Sequence, residues 1–211
     1  MSIYLWILIG ACALSIIVSV IYTLVSLGKT KKETSLYFNK EKLLKYEQEL
    51  AQLLKEKEID NSRDIRSIVE DLDYTIEETD KLPFYKEAQF DPDKKLIQIR
   101  DDFDMMQQNF DIAHELTHIL RKDQAAAKTS ISFLKRKTIS EQITDYMAAA
   151  ILVPSDELVK KMQESNYHKM KKEEKARFRE KISLEKDVHI SVVRRRIIEV
   201  IRMGKYQTAT E

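Results

Sequence analysis

Residues 114–118 read His114-Glu115-Leu116-Thr117-His118, and this short stretch decides the fold. On an α-helix, side chains four residues apart lie one above the other, so both histidines point from one face. Two imidazole nitrogens at this spacing can hold one metal ion. The carboxylate of Glu115 is offset around the helix, where it reaches a water molecule rather than the metal. The spacing therefore predicts two zinc ligands, His114 and His118, and one general base, Glu115.

The alternative is a pair of histidines buried in a hydrophobic core. The apolar residues of this segment form one stripe on the same helix, and that stripe points nearly opposite to His114 and His118. It consists of Ile112, Leu116, Ile119 and Leu120. The chain has only four histidines, and two of them stand in this motif. Both observations favour a metal site over a core.

A catalytic zinc site needs a third protein ligand and one open position. Residues 140–150 predict a second helix, on which Glu141 and Asp145 share a face with the small residue Ala148. Glu141 is the predicted third ligand. Asp145 is the predicted acceptor of the second N–H of a ligand histidine, in the first instance His114. Glu141 also suits the first turn of a helix, where the helix dipole favours an acid, and the two roles are compatible.

The two segments together resemble the ImmA/IrrE family of metallopeptidases. Residues 110–120 are similar to the family pattern F-T-x-A-H-E-x-G-H-x-L, and residues 141–154 to E-x-x-A-D-x-F-A-x-x-L-L-x-P. Thr117 stands where the family usually has glycine and Thr144 where it has alanine, but neither is a ligand position. The resemblance spans roughly residues 60–200. It implies an α+β fold: a mostly helical, zincin-like metallopeptidase domain with a small β-sheet and a bound Zn²⁺.

The resemblance also implies a substrate class. Members of this family cleave regulatory proteins, often helix-turn-helix repressors of mobile elements or stress responses, so the expected partner is a protein of that kind. An alternative of a different class is a non-catalytic module of the same fold, which uses its C-terminal helices to hold a repressor or DNA. The presence of every ligand and of Glu115 favours the enzyme.

The N-terminal segment from residue 3 to 27 contains no charged side chain. At about 1.5 Å rise per residue, a helix of this length crosses a ~30 Å hydrocarbon core. A signal peptide would carry a basic start and a clear cleavage site, and neither is present. Lys29, Lys31 and Lys32 follow the segment, which predicts a single-pass anchor with the catalytic domain on the cytoplasmic side. The only cysteine, Cys12, lies inside this span, so no disulfide is expected.

Residues 28–60 form a charged linker in which Leu36, Leu43 and Leu50 repeat every seven positions. This spacing is compatible with a short coiled-coil stalk that pairs two copies into a homodimer. The slightly favoured alternative is an amphipathic helix that docks on its own domain, because three heptads are few. The peptidase domain is predicted over residues 61–203, with a tail at 204–211.

Residues 84–90 and 95–100 predict two strands joined by a turn at Asp91-Pro92-Asp93-Lys94. In gluzincin-type enzymes, an edge strand beside the active-site helix pairs with the extended substrate. By analogy, we expect the strand at residues 95–100 to hold the substrate backbone by strand addition.

The C-terminal residues 187–198 predict a turn followed by a basic helix. A helix-turn-helix reader would use such a helix in the major groove, with Arg194, Arg195 and Arg196 on phosphates. Family members commonly have a similar helix pair that packs on the peptidase, and a membrane tether makes promoter reading awkward. The net charge of +1 adds no bulk attraction for nucleic acid, so direct DNA binding is the less favoured interpretation. The sequence as a whole predicts a membrane-anchored, cytoplasm-facing zinc endopeptidase.

Overall fold

The computed structural model describes residues 39–83, 86–122 and 139–206. Four longer parts of the predicted chain therefore lie outside the described residues: the apolar segment 3–27, the start of the linker, residues 123–138 between the two predicted metal helices, and the end of the tail from residue 207. Among the helices of the described ranges, none has both the length and the apolar character that crossing a bilayer requires.

The described chain is mostly helical with one small sheet, which confirms the predicted α+β class. The helices are α1 (Lys40–Glu56), α2 (Ile65–Asp71), α3 (Met105–Arg121), α4 (Ile139–Leu152), α5 (Ser155–Glu164), α6 (Lys172–Glu185) and α7 (Ile190–Met203). The strands are β1 (Thr75–Thr79), β2 (Ala88–Asp91) and β3 (Leu96–Arg100), and a 3₁₀ turn covers Tyr167–Lys169.

Helices α3 and α4 form the centre of the domain and carry the predicted site. The side chain of Asp104 caps α3 by accepting from the backbone N–H of Gln107 at 2.9 Å. Every residue of α4 from Thr144 to Leu152 is buried. Because Ala113 of α3 and Ala148 of α4 are small and fully buried, the two helices can pack closely.

The sheet has the strand order β1-β3-β2, with β1 parallel and β2 antiparallel to β3. The predicted hairpin is confirmed, and Ile97 and Ile99 are its fully buried residues. The expectation that residues 95–100 pair with a substrate is wrong, because β3 is hydrogen-bonded to a strand on each side. The edge strand that contacts α3 is β2. A substrate strand that is added to the sheet beside α3 would therefore pair with β2.

Helix α1 belongs to the same hydrophobic core as the metal helices. It contacts α3, α4 and α7, and its residues Leu43, Leu50 and Leu54 are buried. Leu36 lies outside the described residues. The seven-residue spacing therefore reflects docking within one chain, and the alternative that Leu43 and Leu50 pair two copies into a homodimer is wrong.

Helices α6 and α7 form the predicted C-terminal helix pair, but their arginines are not displayed as a phosphate-binding row. Arg196 is fully buried, and its guanidinium donates to Glu199 at 2.8 Å and to Glu47 of α1 at 2.7 Å. Arg195 also donates to Glu199, at 2.8 Å. The prediction that all three arginines meet phosphates is therefore wrong, because Arg196 is buried and already paired with Glu199. Of the three, only Arg194 is exposed.

Candidate metal centre

The predicted ligands from α3 and α4 converge in the structure. His114 Nε2 and His118 Nε2 are 3.2 Å apart, as expected for one turn of α3. Glu141, from α4, places Oε2 at 3.2 Å from His114 Nε2 and Oε1 at 3.7 Å from His118 Nε2. These three residues form a group whose ligand atoms all lie within 4.8 Å of one another.

This spacing fits a tetrahedral zinc ion. Zinc binds imidazole nitrogen and carboxylate oxygen at about 2.0–2.2 Å, which puts neighbouring ligand atoms roughly 3.3–3.5 Å apart. The two histidine nitrogens are 3.2 Å apart, and His114 Nε2 is 3.2 Å from Oε2 of Glu141, so both separations lie close to that value. The separation of 3.7 Å from His118 Nε2 is to the other carboxylate oxygen of Glu141. Two nitrogens and one carboxylate are also a common donor set for a catalytic zinc with one open position.

Asp145 lies where the sequence predicted it, one turn after Glu141 on α4. Its Oδ1 atom is 3.0 Å from Nδ1 of His114. A proton on Nδ1 therefore points at a carboxylate, which leaves Nε2 directed toward Glu141. This contact fixes the ring orientation and the tautomer of His114.

Without a metal ion, the neighbouring carboxylates favour a protonated His114. Burial disfavours a charged His114, but its hydrogen bonds with Asp145 and Glu141 outweigh burial and raise its pKa to about 9. The same contacts with His114 and His118 hold the pKa of Glu141 well below its usual range. The Nε2 proton of His114 thus occupies the space between the ring and Glu141, and a metal ion must displace it.

Glu115 is a buried carboxyl group that lies next to His114 in the sequence. Its residue is 8 % exposed, and its Oε2 atom has no hydrogen-bond partner among the described residues. Burial raises the pKa of Glu115, while the neighbouring His114 and His118 lower it. A carboxylate that is poorly solvated is a better proton acceptor than one in water.

The ring of Phe90, from β2, packs beside the ring of His118. The two rings are stacked, with centroids 6.5 Å apart and planes inclined by 21°. Nδ1 of His118 is buried without a hydrogen-bond partner among the residues described. The orientation of this ring therefore depends on packing against Phe90, whereas that of His114 depends on Asp145.

Asp111 is a buried acid in this region that the sequence analysis did not single out. Its residue is 4 % exposed, and Oδ1 accepts from Nε2 of Gln107 at 2.8 Å. Burial, followed by the nearby charge of Glu87, raises the pKa of Asp111 to about 7. The sequence contained an indication of this residue, because Asp111 stands where the family pattern has threonine.

The two departures at Thr117 and Thr144 leave the centre intact. Both residues are fully buried, and each hydroxyl donates to a carbonyl one turn earlier: Thr117 to Ala113 at 2.8 Å and Thr144 to Ser140 at 3.1 Å. Thr144 also accepts from Nη1 of Arg121 at 3.0 Å, which links α4 to α3. A buried hydroxyl with a partner costs little, so both threonines are compatible with close helix packing.

Two polar ring side chains that could in principle donate to a developing oxyanion, Tyr146 and His168, are engaged elsewhere in the fold. The hydroxyl of Tyr146 donates to Glu47 of α1 at 2.9 Å, inside the core. Nδ1 of His168 lies 3.1 Å from the hydroxyl of Tyr206. Tyr146 is fully buried in the core.

A helix that carries the His-Glu-x-x-His motif, a following helix that supplies the third acid, and a small sheet beside them together define a zincin-like metallopeptidase fold. The chain belongs to the family described as the IrrE N-terminal-like domain, whose sequence model matches residues 69–187. The resemblance to the ImmA/IrrE peptidases is thereby confirmed.

A solved structure of a Mycobacterium tuberculosis transcriptional regulator is similar in fold, with a TM-score of 0.52 and 17 % sequence identity. The match covers 72 % of this chain and 46 % of that one, so this chain spans less than half of the regulator's length. At this identity the likeness concerns the fold alone. No curated protein matches the chain.

Proposed function

We propose that the protein is a zinc endopeptidase in which His114, His118 and Glu141 hold the metal ion. The observation that carries the proposal is the convergence of the three side chains: one ligand atom from each lies within 4.8 Å of the other two, and the two histidine nitrogens are 3.2 Å apart. Glu115 is the general base, and Asp145 is a positioning residue that holds His114 through Nδ1.

A bound zinc ion supplies Lewis-acid polarisation of the scissile carbonyl and lowers the pKa of water toward neutrality. Glu115 takes the proton of the attacking water and returns it to the amide nitrogen as the peptide bond breaks. Its burial excludes competing solvent and strengthens its basicity. Asp145 keeps the imidazole of His114 in one tautomer throughout, so the metal ligand does not need to reorganise.

The substrate is proposed to be a regulatory protein, such as a helix-turn-helix repressor, that presents an extended segment to the edge of β2. Two observations support this choice. The family match points to IrrE-like proteins, and the fold is shared with a transcriptional regulator. The edge strand β2 contacts α3 and places Phe90 against His118, so a peptide added there runs past the metal centre.

The protein is also proposed to be a single-pass membrane protein with its catalytic domain in the cytoplasm. The uncharged segment 3–27 and the lysines at 29, 31 and 32 support this topology. Cleavage of a repressor on the cytoplasmic side would release gene expression, and the anchor would confine that activity to the membrane surface.

The test compares wild type with Glu115→Gln in cells that co-express a candidate helix-turn-helix repressor. The variant keeps the size and the zinc ligands but loses the base, so zinc content stays at one ion per chain while cleavage fragments, measured by mass spectrometry, disappear. Fragments that persist at the wild-type rate in Glu115→Gln would remove Glu115 from the mechanism.

A second candidate is a binding module that holds a repressor without cutting it. The fold shared with a transcriptional regulator favours it, whereas the assembled ligand set and the buried Glu115 oppose it. If the repressor remains intact in wild-type cells and its control is the same in Glu115→Gln, binding rather than hydrolysis is the function.

A further inference from the structure

Helix α7 has an outward face whose side chains are partly exposed to solvent in the part of the chain that the structure describes. At about 100° per residue, four side chains fall within about 80° of one another on the solvent side of this helix. We call this set the α7 outer face: Ile190, Arg194, Ile198 and Ile201. Its three isoleucines are 39 %, 39 % and 45 % exposed. The opposite side of the helix, which includes Arg196 and Met203, is buried.

The charge on this side of α7 is uniformly basic. Arg194 belongs to the outer face and Arg202 flanks it, and both residues are exposed. Glu199 is the single acidic residue of α7, and it is fully buried against Arg196. A helix with large apolar side chains, basic flanks and no exposed acid has the composition of a helix that lies on an anionic membrane surface.

The position of α7 relative to the start of α1 supports the same partner. Lys40, the first residue of α1, lies against Gly204 at the C-terminal end of α7. The chain therefore enters the domain beside Ile201 and Arg202. Residues 28–39 connect the proposed anchor to this point, and at roughly 3.5 Å per residue they span at most about 40 Å. The outer face is thus held within reach of the bilayer.

Nucleic acid fits this face less well. Arg195 and Arg196 are engaged by Glu199, so the row of three arginines that a phosphate backbone would require is reduced to Arg194. Three exposed isoleucines match neither phosphates nor the polar edges of bases, whereas they match the boundary between lipid headgroups and acyl chains.

We propose that the α7 outer face docks the catalytic domain on an anionic lipid surface, with its isoleucines in the interface and Arg194 on lipid phosphates. Docking fixes the orientation of the domain, which an anchor and a connecting segment alone do not. The proposal rests on the proposed anchor only for the proximity of the bilayer.

The experiment uses the full chain with Cys12→Ser and one new cysteine that carries an environment-sensitive fluorophore. Ile198→Cys places the probe on the outer face, and Glu70→Cys places a matched probe on the exposed surface of α2. Each protein is reconstituted in phosphatidylcholine vesicles, with or without phosphatidylserine, and quenching by a lipid-borne quencher is measured. We expect quenching at position 198 in phosphatidylserine vesicles, little in phosphatidylcholine alone, and none at position 70.

The variant Arg194→Gln should lower the ratio of docked to undocked probe about fivefold, since one basic residue near such a surface contributes about 1 kcal/mol. High salt should also lower the ratio of docked to undocked probe, because it screens the attraction between arginine and anionic lipid. An unchanged thermal transition by circular dichroism shows that the variants are folded.

Separate outcomes test the anchor and the face. Protein that floats with both kinds of vesicle but shows no quenching at position 198 overturns the docking proposal and leaves the anchor standing. Protein that floats only with phosphatidylserine vesicles, with quenching at position 198, supports the docking surface and contradicts the anchor. A probe response to duplex DNA, or to protein concentration without vesicles, also overturns the proposal in favour of a nucleic-acid or self-association surface.

Discussion

Asp145 tests the proposed zinc site through a residue that is not itself a proposed ligand. Asp145→Asn keeps a carbonyl oxygen near Nδ1 of His114 but removes the charge that supports the ring, so zinc affinity should fall about 10–100-fold. Competition with a chromogenic chelator measures this change. The matched control is Asp93→Asn in the exposed turn between β2 and β3, which should bind zinc like wild type. Equal affinity of the Asp145 variant and this control would contradict the positioning role.

In the proposed zinc site, His114 should make metal binding depend on pH. With its pKa raised to about 9 in the metal-free centre, the ring is protonated at neutral pH, and zinc must release that proton. Each unit of pH below about 9 should therefore lower the apparent affinity about tenfold, and calorimetry in buffers of different ionisation enthalpy should detect roughly one released proton. An affinity that stays constant between neutral and mildly alkaline pH would show that His114 is already neutral.

Asp111 should make the metal-free protein less stable as pH rises. Its pKa is raised from 3.8 in the unfolded chain to about 7 in the fold, so the folded state binds the proton more tightly. The stabilisation is fully present below 3.8 and is lost as pH rises through about 7, with a limiting slope of about 1.4 kcal/mol per pH unit. In Asp111→Asn, which keeps the acceptor for Gln107, urea unfolding should show a flatter profile over this window. A slope identical to wild type would exclude Asp111 as its source.

At the scale of elements, the sequence predicted what a regular pattern encodes. The periodicity around residues 114–118 and 141–152 indicated α3 and α4 with the correct faces, and the turn at residues 91–94 indicated the hairpin. Strand β1 was missed because its residues Thr75–Thr79 are mostly exposed and polar, so they show no alternation. The substrate edge was assigned to the wrong strand because strand order depends on the parallel pairing of β1 with β3, which joins residues far apart in the sequence.

The pairing of α1 with α7 was also beyond sequence patterns, because Glu47 and Arg196 are far apart along the chain. Their contact at 2.7 Å lies within a buried set that includes Glu199, Ser155 and Tyr146. Arg196 and Glu199 are both fully buried, so neither charge is tolerable without the other.

Loss of this arginine should be costly. Arg196→Met removes the buried cation that Glu47 and Glu199 share and leaves them only their outer cationic partners, Lys205 and Arg195. We expect a loss of about 3–5 kcal/mol in the free energy of unfolding measured with urea. Arg194→Met on the exposed face should change it by less than about 0.5 kcal/mol. Adding Glu47→Gln and Glu199→Gln to Arg196→Met should restore much of the loss, because the two carboxylate charges are then gone. If Arg196→Met alone is as stable as Arg194→Met, the buried set is not an energetic link.

At the scale of the whole molecule, the fold extends beyond the family match. The matched region begins at residue 69, yet α1 at Lys40–Glu56 supplies core leucines and the acid that pairs with Arg196. A chain starting at residue 39 should therefore fold cooperatively and bind zinc. A chain starting at residue 61 exposes Tyr146 and the buried charges, so it should lose its cooperative thermal transition by circular dichroism. Both truncations lack the proposed anchor, so a difference between them isolates α1. Equal transition temperatures and zinc affinities for the two chains would show that α1 is a linker after all.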